Sequence, residues 1–354
     1  MATTAQNMDR KSPGMPLIGL ILAVVLGIVG IAAWLYQLSQ GMQVTSLNQQ
    51  VVWGLYIAAF FTAVGGGAVL LALAGLSAFT PLLTAAQRTR ALAVSLAAFF
   101  AGAIFIAMDV GNPAQIWRVI TAFRFDSLMT WDFWMLLIAA VVAIVYLWTS
   151  RAGSANKVLA ALAIAAAVAV VAVEGWMLSV LSAHPMWSSG LTLVAFLINA
   201  AVAGLGLALL AVTQQETVRK LLLAALGLSL LLALAEVLTG ALSGDPRTRE
   251  EISLLLTGAL APAFWFHIVI GLVIPIVLIA RRQFLPAAAA LAVIGVVAEK
   301  VWFLAAGQAQ PWLPLEGRTY LPSGLELAAV IGMAGLAVVV FWALMWFVQK
   351  RQAA

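Results

Sequence analysis
The chain has 354 residues, of which 64% are hydrophobic and 9% charged, with a formal net charge of +5. A soluble domain carries roughly 25% charged residues, so this composition cannot furnish a water-facing surface and describes a polytopic membrane protein. With no cysteine in the sequence, disulfides, a thiolate nucleophile and a cysteine-ligated iron–sulfur cluster are excluded from this chain.

Arg10 and Lys11 precede an apolar run from Leu17 to Tyr36. Their charge resembles that of a signal peptide, but the run is longer than a usual signal core and suffices to span a bilayer. It is expected to remain as a first transmembrane helix, at about 16–37. Further runs of spanning length fall at about 51–79, 90–109, 131–149, 157–182, 189–212, 219–241, 253–280, 286–306 and 325–348. Together they predict an all-α fold with ten transmembrane helices. The runs are continuous rather than alternating, which excludes a strand barrel.

Lys and Arg set the expected orientation. The N-terminus, alternate loops and C-terminus hold Arg10, Lys11, Arg88, Arg90, Arg151, Lys157, Arg219, Lys220, Arg281, Arg282, Lys350 and Arg351. The other side holds Arg118, Arg124, Arg247, Arg249 and Arg318. Twelve against five predicts cytoplasmic termini. The excess base is thus a topology signal, not a nucleic-acid footprint. Outer loops at about 110–130, 242–252 and 307–324 are the longer ones and carry both signs of charge. Long loops are where sites and partners concentrate.

An internal repeat accompanies this count. Gly54-Leu55-Tyr56-Ile57-Ala58-Ala59-Phe60 corresponds to Gly190-Leu191-Thr192-Leu193-Val194-Ala195-Phe196. The exit Asp109-Val110-Gly111-Asn112-Pro113 corresponds to Gly244-Asp245-Pro246, and Glu174-Gly175-Trp176 to Glu299-Lys300-Val301-Trp302. The expected division is an N-terminal tail and first helix (1–50), a four-helix bundle (51–188), a second, parallel one (189–306), and a loop, last helix and tail (307–354). Small residues, Gly65-Gly66-Gly67 and Gly204 with Gly206, suit close helix packing. Pro262 and Pro275 should bend the eighth helix.

Ionisable groups at mid-bilayer cost about 2.5–3.5 kcal/mol each, so they are functional candidates. They are Asp109, Asp132, Glu174, Glu236, His267, Glu299, Lys300 and Glu326. All but His267 count to the outer half of their helices. Asp109 and Asp132 flank the longest polar interruption, Phe105 to Met135, which also holds Trp117, Arg118, Arg124 and Trp131; it reads as one wall of a site at the membrane surface. Asp132 also suits the positive end of its helix. Glu174 is followed by Gly175, which leaves room for water. Glu299 and Lys300 are sequence neighbours, so they are expected to point to different faces and not to pair across one helix face; Glu299 is assigned to a structural or electrostatic network with Lys300, Glu236 and His267. His184 lies in the short outer loop Ala183-His184-Pro185-Met186-Trp187, and Tyr56 is one turn into the second helix. The two histidines differ in depth, which argues against a bis-histidine haem. No Walker or dinucleotide glycine pattern occurs in a strand–helix context.

Trp53-Gly54-Leu55-Tyr56, the Asp109-x-Gly-x-Pro113 exit and the Thr130-Trp131-Asp132 entry resemble the NrfD/polysulfide-reductase membrane-subunit family. Pro185-Met186-Trp187 and Tyr320-Leu321-Pro322-Ser323 with Glu326 extend the resemblance over about residues 50–345. Ten helices are similar to the longer members, such as the membrane subunits of alternative complex III. The resemblance implies a subunit without haem, iron–sulfur cluster or metal of its own. It would bind a quinone or quinol (menaquinone or ubiquinone) near the outer face, in a bacterial or archaeal cytoplasmic membrane. A ferredoxin-like iron–sulfur subunit would dock there and lead to a molybdopterin or multihaem cytochrome subunit. The residues expected at the quinone are Tyr56, Asp109, Trp117, Asp132, His184 and Trp187. Those expected to transfer protons are Glu174, Glu236, His267, Glu299 and Lys300; those expected to dock the partner are Arg118, Arg124 and Arg318. The chain offers proton carriers but nothing to carry electrons, so a redox partner is required. The rival readings are a secondary transporter, which suits ten helices with a repeat, and a pure membrane anchor, which would need no buried acids.

Overall fold
The computed structural model describes residues 17–122, 124–150, 156–309 and 319–352. Among them ten helices are long and apolar enough to cross a membrane. They are α1 (Leu17–Gln40), α2 (Leu55–Leu76), α3 (Ala85–Asp109), α4 (Leu128–Thr149), α5 (Lys157–Ser179), α6 (Gly190–Ala211), α7 (Glu216–Ala241), α8 (Ala261–Ala280), α9 (Leu285–Ala309) and α10 (Gly324–Gln352). No strand occurs among the described residues. This is a multi-pass integral membrane protein, all-α as expected.

Local chemistry moves several boundaries. The third helix starts five residues before the expected 90, because Thr84 and Gln87 close a reciprocal capping box ahead of Ala85. Arg88 and Arg90 therefore lie within α3. The second helix starts at Leu55, not 51, since Gln308 holds the Val52 and Trp53 backbone in an extended segment. The expected span 253–280 is two elements. Asp245 caps a separate helix, Pro246–Leu256, by accepting from the Arg247 N–H and the Thr248 hydroxyl, and α8 begins only at Ala261. Between Pro262 and Pro275, residues Phe266–Val273 form a π-helical stretch, the widened turn that often marks functional positions.

The core sits on α2. It is apolar on every side and buried along most of its length, as a central helix should be. It packs on α3, α5, α6 and α9, while α4 lies on α5 and α3. In the other half, α6 packs on α7 and α9, and α8 on α9 and α7, an arrangement compatible with two repeated bundles. α1 and α10 pair at the periphery, where Gly30 meets the backbone of Gly332 so closely that neither could carry a Cβ. At the basic end, Glu216 binds Arg219 and Arg282, and the Arg219 guanidinium donates to the Ile279 carbonyl at 2.7 Å. That latch joins the start of α7 to the end of α8.

Candidate functional site
The acid-bearing end of α2–α5 encloses a cavity of about 170 Å³. Trp53, Ile57, Phe60 and Phe61 form one wall, Met129, Phe133 and Leu136 another, and Ile116 and Val119 of the 110–127 loop cover it. Into this apolar lining come two carboxylates, Asp109 at the end of α3 and Asp132 just over a turn into α4. The sequence separates them by a long loop, and the fold brings them to one space. Each keeps a buried Oδ1 with no hydrogen-bond partner among the described residues. Buried polar atoms are normally satisfied, so two carboxylates with orphaned oxygens lining one apolar cavity suit a bound group with hydroxyl donors. Asp132 is not a cap; Ser127 occupies that position.

Behind Trp53 lies a rigid aromatic support. Its ring stacks on Trp187 at 5.7 Å and 17°, and Trp187 in turn lies 4.3 Å from the His184 ring. The Trp187 indole donates to the Phe303 carbonyl at 2.9 Å, and His184 Nδ1 is 2.6 Å from the Gly307 carbonyl oxygen. Residue 307 must be glycine, because a Cβ there would run into the Trp187 indole. Gln308 accepts from the Val52 and Trp53 N–H groups and donates to the Trp53 carbonyl. His184 and Trp187 thus reach the cavity through Trp53 rather than lining it.

Tyr56 lies away from this cavity, on the α1 side. It is fully buried and donates to Gln37 Oε1 at 2.5 Å, while Gln37 Nε2 donates to the Met108 carbonyl at 3.0 Å. The contact ties α1 and α2 to the residue preceding Asp109. Beside it, buried Glu326 accepts from the Tyr320 hydroxyl at 2.5 Å and from the Ser323 and Ser46 N–H groups. Tyr320 Oη also accepts from the Leu55 N–H at 2.8 Å. Burial, and then the adjacent Glu326 charge, push the Tyr320 hydroxyl well above the ordinary phenol range. Trp117 is 56% exposed with the Arg118 guanidinium 5.9 Å from its ring centre, so it stands on the surface. Arg124 forms an exposed 2.8 Å pair with Asp126. Arg318 lies outside the described residues.

Glu174 is buried on α5, and Asp132 and Lys300 are the charged groups whose fields reach it. Gly175 does not leave room for water as expected: it seats α5 against Leu193 and Phe196 of α6. The expectation that Glu299 and Lys300 do not pair with each other is also corrected. Lys300 Nζ lies 3.1 Å from Glu299 Oε2 as a buried ion pair, and 3.3 Å from the Phe196 ring centre. Neighbours about 100° apart on a helix can still meet when their side chains are long and water offers no alternative. Glu236 lies within the field of this pair. His267, at the start of the π-helical stretch, accepts from the Trp302 indole at 3.3 Å.

A second cavity, of about 160 Å³, occupies the same end of the other bundle. Glu236 of α7 lines it with Glu251 of the Pro246–Leu256 helix, and Thr192, Thr239 and Thr248 add hydroxyls. Glu251 is 1% exposed. Burial, then the nearby Asp245 charge, raise its pKa to about 7 against a smaller opposing effect of Arg247. Gln37, Gln308 and Glu251 were not singled out by sequence reasoning, and Trp53 entered it only within a motif, without a role.

The family model for polysulphide reductase, NrfD, matches residues 43–311. The chain belongs to the NrfD family. Among curated relatives of this NrfD-family chain is a selenate reductase subunit from Mesobacillus selenatarsenatis, 24% identical over 89% of the chain and 90% of the relative. The Hdr-like menaquinol oxidoreductase integral membrane subunit of Archaeoglobus fulgidus is 24% identical over 91% and 90%. A putative dimethyl sulfoxide reductase membrane subunit from Halobacterium salinarum is 31% identical over 53% of the chain. That match spans about half of the haloarchaeal protein's own length, 49%.

Proposed function
We propose that this NrfD-family chain is the quinone-reactive membrane subunit of a respiratory oxidoreductase complex, with its quinone site in the α2–α5 cavity and its acid-bearing end outside the cytoplasmic membrane. The observation that carries the reading is the pairing of Asp109 and Asp132, each with an orphaned oxygen, inside otherwise apolar and aromatic walls. The relatives' names support membrane subunits of reductase and menaquinol oxidoreductase complexes. An apolar pocket with a few convergent polar groups is the usual form of a small-molecule site, and these residues fit a quinol: ring against Trp53 and Phe60, hydroxyls toward the two carboxylates. A bound quinol supplies two electrons and two protons.

Asp109 and Asp132 accept the hydroxyl hydrogens and then the protons. Trp53, held by Gln308 and backed by Trp187 and His184, fixes the ring plane. Tyr56 and Gln37 hold the end of α3, and with it Asp109. Asp132 passes its proton to Glu174, whose field it shares, while the Glu299–Lys300 pair supplies fixed electrostatics, with Glu236 and His267 as its neighbours. An iron–sulfur subunit docked on the outer loops through Arg118, Arg124 and Arg318 would take up the electrons, and a molybdopterin or multihaem subunit would lie beyond it. The test is binding of a quinone analogue to the purified complex. Asp109→Asn and Asp132→Asn should each slow quinone turnover by about 10²-fold or more, the usual contribution of a positioned acid–base group, with assembly intact. Normal turnover in both, or an analogue seated between α6 and α9, refutes the assignment.

A further inference from the structure
A third space opens at the opposite, basic end, extends along α3 as far as Phe105, and belongs to neither acid-lined cavity. α10 packs on α1, α3 and α2 but only marginally, if at all, on α6 or α9. This leaves a crevice with α2 and α3 as its floor. Its deep part, about 380 Å³, is lined by Thr62, Ala97, Ala101, Val297 and Ala337, almost wholly apolar. It continues through Leu210, Ala211, Val338 and Phe341 into a mouth of about 570 Å³. Leu210 and Val338, each about two-fifths exposed, form a rim open to the side.

The mouth has the opposite character. Arg90, Gln87, Gln214, Gln349 and Trp342 line it, and no Asp or Glu does. Arg90 is half-buried, and it makes no ion pair among the described residues. The nearby acid of this end, Glu216, is taken by Arg219 and Arg282. A half-buried cation over an apolar crevice, with a tryptophan beside it at the mouth, has the charge and polarity of a lipid site. Length agrees. From Arg90 to Phe105 α3 rises about 22 Å at 1.5 Å per residue. One leaflet's hydrocarbon is about 15 Å thick, so an acyl chain of that leaflet fits with its headgroup at Arg90.

We infer that this crevice holds one anionic phospholipid, its phosphate on Arg90 and an acyl chain between α10 and the α6–α9 pair. The quinone tail is a poorer occupant: the crevice uses the Ala59, Thr62 and Ala63 face of α2, whereas the acid-lined cavity uses Ile57, Phe60 and Phe61. The bound lipid wedges the peripheral α1–α10 pair against the central bundle.

The experiment is native mass spectrometry of the full chain, delipidated in mild detergent and titrated with phosphatidylglycerol, phosphatidylcholine, inorganic phosphate or a menaquinone. One phosphatidylglycerol should be retained in preference to phosphatidylcholine, and inorganic phosphate should not compete. Arg90→Gln should weaken retention about fivefold, the effect of one basic group at a lipid surface, and Arg90→Lys should restore most of it. Val338→Trp, a rim substitution, should block binding while the thermal midpoint of the lipid-free protein stays unchanged. Equal retention of the two lipids, displacement by menaquinone or phosphate, or binding unaffected by both Arg90→Gln and Val338→Trp overturns the inference.

Discussion
Glu251 offers a quantitative test because it is buried yet lies between membrane spans. Its pKa rises from the ordinary 4.5 to about 7, chiefly through burial. A raised carboxyl pKa means that the folded state holds the proton more tightly than the unfolded state does. Ionisation therefore costs stability as pH climbs from the unfolded value through the folded one. At 1.36 kcal/mol per unit, the penalty approaches about 3 kcal/mol above pH 8 and vanishes below about pH 4. Glu251→Gln keeps the shape and removes the titration. Thermal unfolding in detergent should then give curves for the two proteins that coincide near pH 4 and separate progressively to pH 8, the variant being the more stable. Parallel curves, or a wild-type advantage at pH 8, would falsify the assignment of Glu251 as a buried acid driven toward neutrality.

Glu174→Gln should slow quinone turnover by about 10²-fold with assembly intact. Glu299→Gln should instead lower stability by about 3–5 kcal/mol, because Lys300 is left as an unpaired buried cation; normal turnover in the first, or unchanged stability in the second, contradicts this division. Gly307→Ala should cost about 1–3 kcal/mol by overpacking against Trp187 and weaken analogue binding, read by denaturation and titration side by side. Charge reversal at Arg118 and Arg124 should make partner docking weaker and alter its salt dependence, measured by co-purification across ionic strength; unchanged salt dependence tells against docking at this loop.

Helix number was legible because continuous apolar runs have few other uses, and Asp109 and Asp132 stood out because lipid makes charges conspicuous. Direction around each helix was not legible. α2 is apolar on all sides, so its sequence carries no preferred face, and nothing in it turns Tyr56 toward Gln37 rather than toward the cavity that holds Trp53. Trp53 was one of thirteen tryptophans; it opened a motif, but its role showed only in its stack and its amide clamp. Gln37 and Gln308 are uncharged amides in apolar helices; an interruption of that kind is the signal that could have found them. Glu251 was hidden by the boundary error at 253, which split an amphipathic capped helix and left Glu251 in the outer loop. Neighbour rules drawn from solvated helices failed at Glu299 and Lys300, where each side chain's alternative to its neighbour is lipid or core rather than water.

The Glu326 cluster bears on how the protein is made. Ser46 and Leu55 precede nearly all of the membrane-spanning chain, yet their N–H groups are satisfied by Glu326 and Tyr320, which are synthesised after nine spans have emerged. The opening of α2, and with it the wall bearing Trp53, cannot reach its final form until α10 has inserted. The first and last thirds of the chain are thus fastened to each other, and the folded form of one depends on the other.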